Sequence, residues 1–178
     1  MEIIKPDLKR AVKAIKEGKV LVCSTDTVYG LICDAGNKKA VEKIYKIKNR
    51  PKSKLLPIFV NNIGMAKKLA KIDSRQEKYL KKVWPGPVTA VFHHKKPGIR
   101  IPKYAWLLHL VEQLNRPLAE SSANISGQPA STKIKDVLGQ FEGKKYQPDI
   151  VIDAGDLPKA KPSKVIDLTI WPPKILRY

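Results

Sequence analysis

Three short stretches hold most of the groups in this chain that can bind or react. "STDT", residues 24–27, puts two threonines, a serine and an aspartate straight after the apolar run "VLVC". Hydroxyls and a carboxylate at that point can end a strand, cap the next element or hold a small polar ligand. "KIKNRPKSK" packs Lys46, Lys48, Arg50, Lys52 and Lys54 into nine residues. Beside a helix end broken by proline, these cations can converge on a triphosphate, arginine as a bidentate fork and lysine as a mobile point charge. A solvated basic face is the more ordinary reading of such a run taken alone. "SSANISG" offers Ser122 and Asn124 at a junction of small residues, where backbone amides can approach an anion closely. A tight turn with local Ser/Asn capping is the plainer alternative there.

Other chemistries find little support. There is no GxxxxGK[ST] element, so a nucleotide site here is not a P-loop. No GxSxG elbow surrounds Ser121 or Ser122 and no base is evident, which disfavours a serine hydrolase. His93, His94 and His109 lack metal spacing, and the first two, beside Lys95 and Lys96, read as surface or phosphate-adjacent groups. Cys23 and Cys33 lie in or next to an apolar strand and read as core fillers in a reducing compartment. No metal ligand set is evident, and whether Asp26 helps hold a metal stays open.

Charge points the same way as the basic run. Lysine and arginine number 35 against 16 acids, a formal net charge of +19. Such a field attracts nucleic acid, nucleotide phosphates or acidic surfaces. A lysine-rich surface suited to high temperature is the competing explanation, but that pattern usually raises glutamate as well. At 178 residues and 43% hydrophobic content the chain fits one domain, residues 1–178, with a real core. No apolar run approaches the roughly 20 residues of a spanning helix. The N-terminus lacks the layout of a secretory signal, so a cytoplasmic location is expected.

The elements that must position these groups alternate. Asp7 is a good N-cap for a helix carrying Leu8, Val12 and Ile15, with Gly18 as its stop. "KVLVCS" is a strand. After the opening loop comes a helix through Ala40, Val41, Ile44 and Tyr45, which Pro51 must end. "LLPIFV" reads as a strand, with Pro57 arguing for an edge or a bulge. Helices are expected near residues 65–71 and 75–83, a strand at "VTAVFHH", a helix at "YAWLLHLVEQL", and a strand at "RPLAESS". A helix capped by Thr132 follows, then strands at "DIVIDAG", "KVIDLTI" and "KILRY". This is an α/β layout around one twisted, mixed sheet flanked by helices. The polar stretches fall where strands end, which is where open α/β sheets collect ligands. Trp84, before a Pro-Gly-Pro turn, reads as a packed aromatic.

In order along the chain, "STDTVYGL", "KNRP", "WPGPVT", "IRIP", "SSANISGQP", "PSKVIDL" and "ILR" resemble the YrdC-like family of threonylcarbamoyl-AMP synthases. The match runs over roughly residues 5 to 177, and the ordered set is far more specific than any member. The resemblance implies a YrdC-like fold with a concave basic face. It implies a nucleotidyltransferase reaction in which L-threonine, bicarbonate and ATP give threonylcarbamoyl-AMP and pyrophosphate for tRNA threonylcarbamoyladenosine. Mg²⁺ accompanies the ATP, a transferase complex acts downstream, and tRNA or double-stranded RNA is an expected partner. Carried over by motif, Thr27, Arg100, Ser122 and Ser163 would serve L-threonine; Lys48, Arg50, Lys54, Asn124, Thr132 and Arg177 would serve ATP.

Physics agrees with that implied layout. Two anions, a carbamate and a triphosphate, must meet in line, and a cationic cavity offsets their repulsion. Positioning and charge stabilisation then supply most of the catalysis, with no side-chain nucleophile. The chain departs from the family's usual spelling at Ser24, Ile32, Leu55 and Lys164; Lys164 either crowds the threonine end beside Ser163 or points to solvent. A non-catalytic RNA-binding protein is the main alternative. A carbamoyl-transfer maturation factor is the second, though the acylphosphatase and zinc-ribbon modules of those long chains are not in this sequence.

Overall fold

A computed structural model describes residues 1–177. Ten strands form one sheet in the order β1-β8-β2-β3-β7-β4-β6-β5-β9-β10. They are β1 (Glu2–Ile4), β2 (Leu21–Cys23), β3 (Gly30–Asp34), β4 (Ile58–Phe59), β5 (Val88–Val91), β6 (Ile99–Arg100), β7 (Leu118–Ser122), β8 (Ile150–Ile152), β9 (Lys164–Asp167) and β10 (Lys174–Arg177). The sheet is mixed, as expected: β1/β8, β2/β8, β4/β6 and β5/β9 run parallel and the other pairs antiparallel. Six helices flank it: α1 (Leu8–Lys16), α2 (Lys38–Lys48), α3 (Ile63–Leu69), α4 (Ser74–Val83), α5 (Ala105–Leu114) and α6 (Ile134–Phe141).

Local chemistry explains most helix ends. Asp7 accepts from the Arg10 amide and Asn37 from the Ala40 amide, while Asp73 and Gln76 complete a reciprocal box at α4. α2 stops at Asn49, which takes a left-handed conformation (φ 49°), two residues before the expected break at Pro51. Thr132 does not cap α6. The residue preceding that helix is Lys133, with no side-chain cap, while the nearby Ser131 Oγ accepts from the Lys133 amide.

The sheet has unequal faces. Alternate residues of β2, β3 and β7 separate into two clusters: Leu21, Ile32 and Leu118 pack with α1 and α5, whereas Val22, Leu31 and Ala119 pack with α2 and α6. A third cluster under α3 and α4 continues the α2/α6 side through Ile58, which touches both. The face bearing α1 and α5 is covered only over the β1–β7 half, and the other half stays open.

Two expectations about strands fail. β3 was read as loop, yet it is a buried strand hydrogen-bonded to β2 and β7. Its five residues are buried on both sides, so no alternation signals them. β4 is not an edge strand despite Pro57. It lies between β7 and β6, and Pro57 sits just before it, where its carbonyl accepts from the Glu120 amide and no proline donor is required.

Candidate active site

The open half of the sheet is lined by a row of side chains whose register puts them on one face. Gly30 pairs with Ser122, and Glu120 lies two residues before Ser122 on β7. Phe59 pairs with both Leu118 and Arg100, so Arg100 shares the face of Leu118, Glu120 and Ser122. Ala90 pairs with Ile99, which sets Thr89 beside Arg100, and Thr89 pairs with Val165, which faces Arg177. Above this row lies a hollow of about 430 Å³ lined by Thr27, Arg50, Thr89, His94, Lys96, Arg100, Glu120, Ser122, Ser163 and Arg177, among others. Four hollows are larger, at about 780, 610, 550 and 510 Å³: the first is walled mainly by α2 and the 139–146 segment, the second is mostly apolar, and the last two lie along residues 67–76 and 144–149 with no comparable gathering of arginines and hydroxyls. Convergence of polar groups, not size, singles out the smaller one.

Each wall has a local cause. Arg100 is 2% exposed and forms an ion pair with Asp26 at 2.6 Å; its Nε donates to the Gly86 carbonyl, and it stacks 5.5 Å from the Phe59 ring. Asp26 also accepts from the Lys103 amide through its other oxygen. Both carboxylate oxygens are therefore engaged, and Asp26 serves Arg100 rather than offering a free metal ligand. The threonine loop is knitted internally: Thr25 Oγ1 donates to the Val28 carbonyl, accepts from the Thr27 amide and lies 3.0 Å from Thr27 Oγ1. The departure at Ser24 is structural, its hydroxyl donating to Tyr104 Oη at 2.8 Å. Arg50 donates to the Lys54 and Leu55 carbonyls, which folds the 51–55 loop back along its own guanidinium. Arg177 donates to the Ser163 carbonyl, and Ser163 Oγ lies 3.1 Å from Thr89 Oγ1.

Of the ten residues singled out in the sequence, six line this hollow: Thr27, Arg50, Arg100, Ser122, Ser163 and Arg177. Lys48 and Asn124 stand behind it. The Lys48 ammonium donates to the Ser122 carbonyl (2.5 Å), the Asn124 carbonyl (2.7 Å) and Asn124 Oδ1 (3.1 Å). Those three bonds use all its hydrogens. Asn124 spends its amide on the Ile125 and Gln128 carbonyls and its oxygen on Lys48 and Ser122 Oγ. Together they clamp the 122–128 loop that presents Ser122. Lys54 and Thr132 do not line the hollow: Lys54 is exposed and contributes its carbonyl to Arg50, and the Thr132 carbonyl accepts from the Leu157 amide. Lys164 is exposed and also lies outside the lining. Glu120, Thr89 and Lys96 line it and were not foreseen; Thr89 closes the "WPGPVT" motif, which could have flagged it, whereas Glu120 and Lys96 lie outside the quoted motifs. His94, read as surface or phosphate-adjacent, reaches its rim and bonds Thr169.

Burial pushes the Lys48 ammonium down to about 8, with Glu120 pulling it up and Arg50 pushing it further down. Between pH 8 and the ordinary lysine value the unfolded chain holds more protons at this residue than the folded one, so its contribution to stability rises with pH. The clamp itself needs three hydrogens, and a neutral amine has two. Turnover is therefore expected to fall with a midpoint near pH 8 while the melting temperature of the wild type gains on that of Lys48→Met over the same window. Thermal melts and pH–rate profiles on both proteins check this; a flat profile across pH 7–9.5 would contradict it.

Comparison with known proteins fits this geometry. Residues 13–178 match the family model Sua5_yciO_yrdC, described as "Telomere recombination". This chain belongs to the Sua5/YciO/YrdC family. It is 37% identical over 176 residues to the threonylcarbamoyl-AMP synthase of Pyrococcus abyssi, covering 92% of this chain and 51% of that one. It is 36% identical to a putative threonylcarbamoyl-AMP synthase of Methanocaldococcus jannaschii, covering 88% and 77%. Its fold superposes on P. abyssi Sua5 complexed with L-threonine with a TM-score of 0.85 and 33% identity, over 99% of this chain and 56% of that one. The chain thus spans about half the length of the P. abyssi protein. Among the described residues, no helix is long and apolar enough to cross a membrane.

Proposed function

We propose that this Sua5/YciO/YrdC chain is an enzyme that makes threonylcarbamoyl-AMP and pyrophosphate from L-threonine, bicarbonate and ATP, supplying tRNA threonylcarbamoyladenosine synthesis. The observation that carries this reading is the convergence of three arginines and six hydroxyl-bearing residues, from residues as distant as Thr27 and Arg177, on one hollow. In this reading the threonine carboxylate lies on Arg100, whose inner edge is fixed by Asp26, Gly86 and Phe59 so that its remaining donors face the cavity. Thr27 and Ser122 take the amino acid's polar atoms. Arg50 and Arg177 neutralise the phosphates as the carbamate oxygen attacks phosphorus and pyrophosphate leaves. The protein forms no covalent bond; it holds two anions together and supplies the charge that lets them meet.

Mg²⁺ enters this reading as the companion of ATP. Among the described residues no group of three or more acidic, histidine or cysteine ligands comes together, and Asp26 is already engaged. That donor set is no cage, and it suits a cation carried in on phosphate oxygens.

The test is direct: purified protein with ATP, Mg²⁺, L-threonine and bicarbonate, with pyrophosphate followed over time. The reading requires release that depends on both threonine and bicarbonate. Background release together with retained, salt-steep RNA binding would instead assign the +19 charge to a binding protein. Turnover supported better by carbamoyl phosphate would point to carbamoyl transfer. Thr27→Val is expected to raise the threonine KM by about 10-fold, the order of one lost buried hydrogen bond, with the ATP KM held. Equal rises in both constants would move Thr27 out of the amino-acid pocket.

A further inference from the structure

Glu120 is the acidic side chain among the cavity-lining residues, and the charge logic above leaves it unexplained. It lies on β7, on the same sheet face as Arg100 and Ser122. Among the described residues no hydrogen bond or close ion pair reaches its carboxylate; it feels Arg100, Lys48 and Arg177 only through space. Burial outweighs those cations and holds its pKa above the ordinary carboxylate range. A Cβ added at Gly30 would stand 3.5 Å from Glu120 Oε1, an ordinary contact, and 3.3 Å from Thr25 Cγ2, so Glu120 and Thr25 border the same glycine. Thr25 is the residue bonded to Thr27. The carboxylate therefore lies against the threonine loop.

A part-buried carboxylate repels a triphosphate, a bicarbonate ion and an amino-acid carboxylate alike. It is favourable there only when a ligand brings a positive charge to it. Of the substrates in the reading above, an amino acid alone carries one. We propose that Glu120 is the seat of the substrate's α-ammonium group, with Arg100 taking the α-carboxylate, so that the two side chains grip opposite ends of a zwitterion. This rests on the function proposed in the preceding section. When bicarbonate carboxylates the nitrogen, the new N–C bond replaces the bicarbonate C–OH bond, the hydroxyl leaves as water with one ammonium proton and a second proton passes to solvent. The one hydrogen left on nitrogen still donates to Glu120, and repulsion turns the carbamate oxygens away from Glu120 toward the phosphates. The assignment makes a free α-amino group a condition of binding. A cage for Mg²⁺ at Glu120 would need further oxygen ligands from the protein, and among the described residues no group of three or more acidic, histidine or cysteine side chains comes together.

The experiment compares L-threonine with 2,3-dihydroxybutanoate, in which a hydroxyl replaces the amino group, by calorimetric titration of the wild type and of Glu120→Gln, a substitution that keeps the side chain's shape. The wild type is expected to favour threonine by about 10- to 100-fold, the order of a charge-assisted hydrogen bond, and Glu120→Gln to lose that factor in threonine affinity and bind the two acids alike. Its ATP affinity is expected to stay unchanged. A wild type that binds both acids equally, or a Glu120→Gln variant that keeps the preference, overturns the assignment while leaving the synthase reading intact. So does a variant with an altered Mg²⁺ requirement and wild-type threonine affinity, which would assign Glu120 to the metal. A wild type that binds neither threonine nor ATP overturns both.

Discussion

Arg100→Ala is expected to abolish measurable L-threonine binding and to lower folding stability by about 3–5 kcal/mol. The two effects have separate causes. Stability falls because the substitution strands the Asp26 carboxylate, 9% exposed, without its counter-ion, and removes a guanidinium packed at 2% exposure against Phe59. Binding falls because the same guanidinium supplies the donors that face the cavity. The double substitution Asp26→Asn with Arg100→Ala separates them: the amide oxygen can still accept from the Lys103 amide, and no buried charge is left unpaired. Denaturant melts should show most of the lost stability restored in the double variant, and titration should show threonine binding still absent. Restoration of both would reduce Arg100 to a structural residue.

The second large effect is expected at Arg50. Its guanidinium lines the cavity while donating to two carbonyls of its own loop. Arg50→Ala should lower kcat/KM for ATP by about 100-fold or more, the order expected when one prearranged charge is removed from a transition state. Arg50 is only half-buried, and the carbonyls it releases can turn to water, so the melting temperature should change little. Arg50→Lys should recover a minor part of the loss, since an ammonium cannot bridge two carbonyls and a phosphate with one planar fork. Steady-state kinetics and melts on both variants decide it. Wild-type kinetics for Arg50→Ala would remove the phosphate contact from this loop.

These expectations differ from what the motifs alone imply, and Lys48 shows why. A lysine in a basic run beside a helix end reads as a phosphate ligand, because its charge is visible and its surroundings are not. In the fold, the left-handed Asn49 turns the chain so that Lys48 points under the loop at 122–124 and spends its donors there, while Arg50, two residues on, reaches the cavity. Asn124 shares that fate. The distinction between touching a ligand and holding the residue that touches it is carried by contacts 74–76 residues apart in sequence, which spacing does not reveal.

The helices were legible because their signals are local, an apolar stripe and, for α1, the N-cap Asp7; the caps at Asn37 and Asp73 emerged from the structure. β3 was not legible, because it is buried on both faces; "LLPIFV" does read as a strand, but the interior position of β4 does not show there, since its neighbours rather than its own two-residue pattern set it. Thr132 looked like a cap from its residue type, but the backbone turns into α6 one residue later. Glu120 escaped notice for a related reason. In "PLAESSA" it reads as a surface acid on a short strand, and only the register of β7 against β3 and β4 places it over the hollow beside Arg100. The ordered motifs identified which loops matter, and the sheet decided which atoms within them meet.

The central claim is that one hollow over the open half of the sheet holds an amino acid beside a nucleoside triphosphate. A crystal structure of this chain with L-threonine, Mg²⁺ and a non-hydrolysable ATP analogue tests it most directly. The account predicts both ligands in that hollow, the threonine carboxylate within hydrogen-bond distance of Arg100 and its nitrogen on Glu120, with the phosphates against Arg50. Nucleotide seated instead in the separate groove between α2 and the 139–146 segment, or threonine bound away from Arg100, would contradict it.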